Sequence, residues 1–154
     1  MTTEQISSSN LLGLVERIEG AGVSDPELFW EAFRAVHGPK PERVHGGSKE
    51  MNDYLAKSNP FFYFVKHGAF VDAALSLVPK GWIVKIRRYF NGDGEYVADV
   101  WLTDSFTVGR GCDPEEKVAV SSRIVERKQG VDPTPAALCA ASLKARLHTE
   151  GDKS

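Results

Sequence analysis

The chain is poor in the residue patterns that mark most kinds of chemistry. It holds two cysteines, Cys112 and Cys139, in 154 residues, and they form no C-x-x-C pair. That spacing excludes a disulfide scaffold and a cysteine zinc or redox motif, and two free thiols in a reducing compartment are expected. The four histidines, His37, His45, His67 and His148, are scattered, and none stands at metal-ligand spacing from another. There is no glycine loop followed by Lys-Ser or Lys-Thr to cradle a phosphate, and no Gly-x-Ser-x-Gly elbow. No apolar stretch approaches the roughly 20 residues that span a bilayer. Met1 to Asn10 carry neither a basic start nor an apolar run, so no signal peptide is expected and the expected location is the cytoplasm of a host cell.

An excess of charge of one sign is also missing. Nineteen Lys and Arg stand against 21 Asp and Glu, a formal charge of -2. Such a balance gives no field that would draw nucleic acid or an anionic membrane to the whole surface, although local basic patches are compatible with it. What is present is an ordinary globular composition, 42% apolar and 26% charged. A chain of this length is expected to be one domain that buries roughly two thirds of its unfolded surface. Along it, residues 1–37 read as a helical N-terminal part, 38–60 as loop and short helix, and 61–148 as an α+β core.

The helical signals come first. Leu11, Leu14, Val15 and Ile18 recur at helical spacing and Gly20 stops them. Ser24 with Glu27 reads as a capping box, with Pro26 in the first turn. The face that follows is Phe29, Ala32, Phe33 and Val36, with Trp30 at its edge, ending at His37-Gly38-Pro39. Ser48 to Lys57 predicts a short helix that Pro60 ends, and the aromatic run Phe61 to Val65 predicts a strand. Gly68 to Val78 predicts a helix with Phe70 or Val71, Ala74, Leu75 and Val78 on one face, broken by Pro79-Lys80-Gly81.

The strongest signal is a hairpin, 82–90 and 95–103, around Asn91-Gly92-Asp93-Gly94. A three-residue loop places Asn91 opposite Glu95 and Ile86 opposite Val100. One face then carries Trp82, Val84, Ile86 and Phe90 with Tyr96, Ala98, Val100 and Leu102. The other carries Lys85, Arg87 and Tyr89 with Val97, Asp99, Trp101 and Thr103. A slip of one residue would put Asp99 beside Ile86 on the dry face. Arg88 falls on the apolar face near the tip, where it can snorkel to water. Lys117 to Val125 predicts a third strand. Pro133 and Pro135 introduce a last helix, capped by Asp132 or Thr134, with Ala136, Ala140, Leu143 and Leu147 as its stripe. The fold class is therefore α+β, an antiparallel sheet built on the central hairpin with helices packed on it.

The candidate binding residues are Lys85, Arg87, Tyr89, Asp99 and Trp101 on the outer hairpin face, with Arg110 in the flexible Gly109-Arg110-Gly111 loop. The register pairs Arg87 with Asp99 and Lys85 with Trp101, structural contacts worth roughly 0.2–1 kcal/mol each. Trp, Tyr and Arg together are also the types enriched at interaction hot spots. The rival expectation for that face is cover by the N-terminal helices, or plain hydration. Arg110 between glycines could approach an anion, or simply be a surface loop. No catalytic residue, metal or cofactor is expected. Glu31 and Glu115-Glu116 read as solvated charges, and an enzyme would need a dispersed site such as His67 with Glu115 or Arg110.

Two segments, Phe70 to Trp82 and Pro135 to Ala145, resemble the two ends of small phage and prophage proteins with a phage ABA-sandwich domain, over roughly Phe70 to Leu147, with a fainter echo at Leu11 to Glu19. The resemblance implies helix–sheet–helix layering and a phage or prophage origin, and carries no catalytic or binding residue to this chain. His67-Gly68-Ala69 departs from the usual Thr/Ser lead-in. The expected function is a non-enzymatic accessory protein that binds a host protein or a small anionic ligand, able to form homo-oligomers through a sheet edge. The alternative is a virion structural or assembly component.

Overall fold

The computed structural model describes residues 8–42, 46–104 and 119–151. Among them the elements run α1 (Ser8–Ala21), α2 (Pro26–His37), α3 (Lys49–Lys66), α4 (Phe70–Leu75), β1 (Trp82–Phe90), β2 (Tyr96–Asp104), β3 (Ala119–Val125) and α5 (Thr134–Gly151). The three strands form one antiparallel sheet in the order β1-β2-β3, and the fold is α+β. No helix among the described residues is long and apolar enough to cross a membrane.

The hairpin forms in the register that side-chain alternation dictates. Ile86 lies opposite Val100, Arg87 opposite Asp99 and Lys85 opposite Trp101. Asn91 closes the loop. Its N–H donates to Glu95 O at 2.9 Å, and its Oδ1 accepts from the N–H groups of Asp93 at 3.0 Å and Glu95 at 2.9 Å. Gly94 takes φ +80°, the left-handed residue that a three-residue hairpin loop requires. β3 pairs with β2 so that Arg123 lies opposite Asp99 and Ser122 opposite Val100.

α5 is the centre of the molecule. Residues Ala136 to Leu143 have no measurable exposure, because one side of the helix lies on β2 and β3 while α1, α2 and α4 pack around the other. Its alanines let neighbours approach from every side, so the helix carries small residues all round rather than on one stripe. α3 packs in turn on α2 and α4. Glu19 of α1 ties the layers together, accepting from Ser122 Oγ at 2.6 Å and from Lys144 Nζ at 2.9 Å.

Several local expectations are corrected. The cap of α2 is Asp25, whose side chain accepts from Glu27 N–H at 2.9 Å, in place of Ser24. Pro60 does not end a helix, and Phe61 to Val65 are not a strand, since α3 runs through them. Pro60 and the residue whose carbonyl it leaves without a partner, Ala56, both face solvent, so water can serve that carbonyl. Meanwhile Phe61 is buried between Trp30 and Phe33, at centroid distances of 5.0 and 4.8 Å. Aromatic packing on α2 outweighs the local helix-breaking preference. The helix predicted over Gly68 to Val78 spans only Phe70–Leu75, and Leu75 is exposed while Leu77 is buried. The second hairpin strand begins at Tyr96 and ends at Asp104. Arg88 faces Asp132 at 3.8 Å instead of only snorkelling.

One correction bears on function. Ile86 and Phe90 belong to the apolar face, yet Ile86 is 37% and Phe90 70% exposed. α5 packs on β2 and β3, and of the inward residues of β1 only Trp82 and Val84 pack against the core.

Candidate functional site

The helices lie on one face of the sheet, and the opposite face is built from odd-numbered residues of all three strands. In the middle of it Arg87, Asp99 and Arg123 form a row across the sheet. The Asp99 side chain is 3% exposed, held down by its central position and by the long side chains that flank it. Its Oδ2 accepts from Arg123 at 2.9 Å (Nη2) and 3.3 Å (Nε), and from Arg87 Nη2 at 3.4 Å. Both guanidinium groups stay mostly in water. The hydrogen bond to Asp99, and then its charge, raise the Arg123 pKa above the ordinary arginine value.

This geometry resolves the usual difficulty of a buried carboxylate. An isolated ion there would be costly, but two cations share its oxygen while their outer edges remain hydrated. Arg87 is held from a second side, with its Cζ 4.6 Å from the Tyr89 ring centre and 5.6 Å from that of Trp101. Such contacts contribute about 0.5–1 kcal/mol at exposed sites and restrict the side chain. The result is a pre-ordered patch with two guanidinium groups, Lys85 beside them, and the half-exposed rings of Tyr89 and Trp101. Three cations stand around one carboxylate that is already satisfied, so the patch carries a net positive charge.

Five of the six candidate residues, Lys85, Arg87, Tyr89, Asp99 and Trp101, therefore share one face. Arg110 lies outside the described residues, as do His45, Cys112 and Glu115-Glu116. The N-terminal helices do not cover the face. They pack on α5, on the other side of the sheet. Trp82 turns toward the core and Trp101 away from it.

Sequence reasoning missed Arg123 as the third member of the row. Half of the signal was available, since Ser121 and Arg123 alternate with Val120 and Ile124, and they share a face with Asp99 because β3 pairs with β2. It also missed an open cleft of about 420 Å³ at the hairpin tip, where Phe90, Tyr96 and Val131 meet Glu126 and Asp132.

Among the described residues no group of three His, Cys, Asp or Glu side chains could hold a metal ion. His67 is exposed and rests on the Tyr63 ring at 4.3 Å. Burial, and then the charges of Lys57 and Arg146, pull the His37 imidazole down to about 4. Burial pushes the Cys139 thiol up to about 12, so it is no nucleophile. Glu31 pairs with Arg17 at 2.9 Å.

No family model, no curated protein and no solved structure matches the chain.

Proposed function

We propose that this is a non-enzymatic accessory protein, of phage or prophage origin, that works in the host cytoplasm by binding a carboxylate- or phosphate-bearing group, on a host protein or a small ligand. The single observation that carries the reading is the row Arg87–Asp99–Arg123, in which a buried carboxylate fixes two exposed guanidinium groups beside Trp101 and Tyr89. Fixing them before a partner arrives removes part of the ordering cost of binding. Phage origin rests on the resemblance of Phe70 to Trp82 and Pro135 to Ala145 to phage ABA-sandwich proteins.

The test combines native mass measurement of the purified chain, which reports both oligomeric state and copurifying ligand, with titration of captured partners or anions. Arg87→Ala and Trp101→Ala are both expected to weaken binding about tenfold or more while leaving the far-ultraviolet circular dichroism unchanged. A chain that carries nothing, and whose binding is indifferent to both substitutions, contradicts the reading.

A virion structural or assembly role is favoured by a different observation. Phe62, Tyr63 and Phe90 are 54%, 60% and 70% exposed, away from the basic face. Recovery of the chain in purified particles would establish that role.

A further inference from the structure

The edge of the sheet next to the basic face is open. β1 pairs with β2 on one side, and on the other it pairs with no strand among the described residues. Its nine residues contain neither proline nor a break in the register with β2. Natural sheets blunt such an edge or use it. Lys85, Arg87 and Arg88 make β1 strongly basic, and it has no acidic residue.

Those charges decide what can pair there. A second copy joined edge to edge about a two-fold axis would add an antiparallel β1 with like faces aligned. The registers that use most of the strand set Lys85 opposite Arg87, or one of these residues opposite its own copy. Like charges directly opposite are destabilising, so self-pairing through β1 is opposed. A segment carrying carboxylates meets the reverse situation. The unused apolar surface lies on the other face of the same edge, where Ile86 and Phe90 are exposed and the hairpin-tip cleft continues past Phe90 to Tyr96 and Val131.

We infer that β1 receives an extended segment of a partner protein as a fourth strand, with acidic side chains alternating with apolar ones. The carboxylates face Lys85 and Arg87 on the outer side. The apolar side chains cover Ile86 and Phe90 on the inner side, one of them reaching the cleft. Main-chain hydrogen bonds supply affinity and the alternation supplies selectivity. This inference rests on the reading of the basic face as the recognition surface and adds how the partner is held.

Three synthetic peptides test it against the full chain by fluorescence anisotropy: one alternating glutamate and valine, one with lysine replacing glutamate, and one glutamate peptide N-methylated at alternate residues along the edge that would face β1. The glutamate peptide is expected to bind, N-methylation to weaken it at least about tenfold, and the lysine peptide to bind at least about tenfold more weakly. Lys85→Glu is expected to reduce that preference for glutamate, and Phe90→Ala to weaken the glutamate peptide. Both positions are exposed, so neither substitution threatens the fold. Equal binding of the N-methylated and unmodified peptides overturns strand addition while leaving the basic face as a binding surface. No binding of any glutamate peptide overturns strand addition, while the basic face is judged separately by the titrations with Arg87→Ala and Trp101→Ala. A dimer seen by sedimentation that disperses with Phe90→Ala makes a second copy the occupant and overturns the inference.

Discussion

β1 and β2 are paired neighbours of equal length with similar shares of apolar residues, yet they live in different environments. In β2, Val97 to Val100 and Leu102 are buried, including the carboxylate of Asp99. In β1 no residue is fully buried, and Ile83, Ile86 and Phe90 are exposed. Composition does not explain the contrast. β2 has a strand on each side and α5 beneath it, whereas among the described residues β1 has one strand neighbour and only Trp82 and Val84 packed against the core. Position in the sheet decides burial, and the strand left outside is also the one rich in cations.

The largest effect expected from this contrast is on stability. Leu102→Ala in β2 should cost about 2–5 kcal/mol, as truncations in packed cores do. Ile86→Ala, two rows away on the same face, should cost less than about 1 kcal/mol. Urea denaturation of the two variants measures both, and equal losses would mean that β1 is covered after all.

A smaller loss is expected at the centre of the outer face. Asp99→Asn keeps the shape but removes the charge that both arginines share, at about 1–2 kcal/mol. Because Arg87 is then held only by its rings, partner binding should fall in the same variant.

The helical side offers a pH-dependent counterpart. The unfolded chain protonates His37 near 6.5, whereas the folded chain resists until about 4. Protons therefore favour the unfolded state between those values. The contribution is fully present above pH 6.5 and is lost as pH falls toward 4. With His37 partly solvated, it amounts to about 1 kcal/mol after solvent screening. His37→Asn should flatten the stability profile over that window in denaturation series, and an unchanged profile would count against the assignment.

The smallest effect expected is on the reactivity of one buried side chain. In a Cys112→Ser background, iodoacetamide should modify Cys139 only as fast as the protein unfolds, since the thiol is buried and held un-ionised. Mass spectrometry of labelling against urea concentration checks this, and rapid labelling in native buffer would show that α5 opens locally.

Much of the sheet was legible in the sequence. Period-two alternation and Asn91-Gly92-Asp93-Gly94 fix the register, because a one-residue slip would put Asp99 on the same face as Ile86, the face toward the helices, instead of on the face that carries Arg87. From that register the grouping of Lys85, Arg87, Tyr89, Asp99 and Trp101 follows. Alternation says which residues share a face but not which strand lies at the edge, so the exposure of Ile86 and Phe90 could not be read. Nor could Arg123 be placed without knowing that β3 adds to β2. At Pro60 the local rule pointed to a helix end, and the burial of Phe61 against Trp30 and Phe33 reversed it. That contact joins α3 to α2, and nothing near Pro60 in the chain announces it.

Residue-resolved amide hydrogen exchange on the free protein tests the contrast between the two strands most directly. β2 amides should exchange only with global unfolding, while the β1 amides that point away from β2 exchange orders of magnitude faster. Outward β1 amides as slow as those of β2 would contradict an open edge.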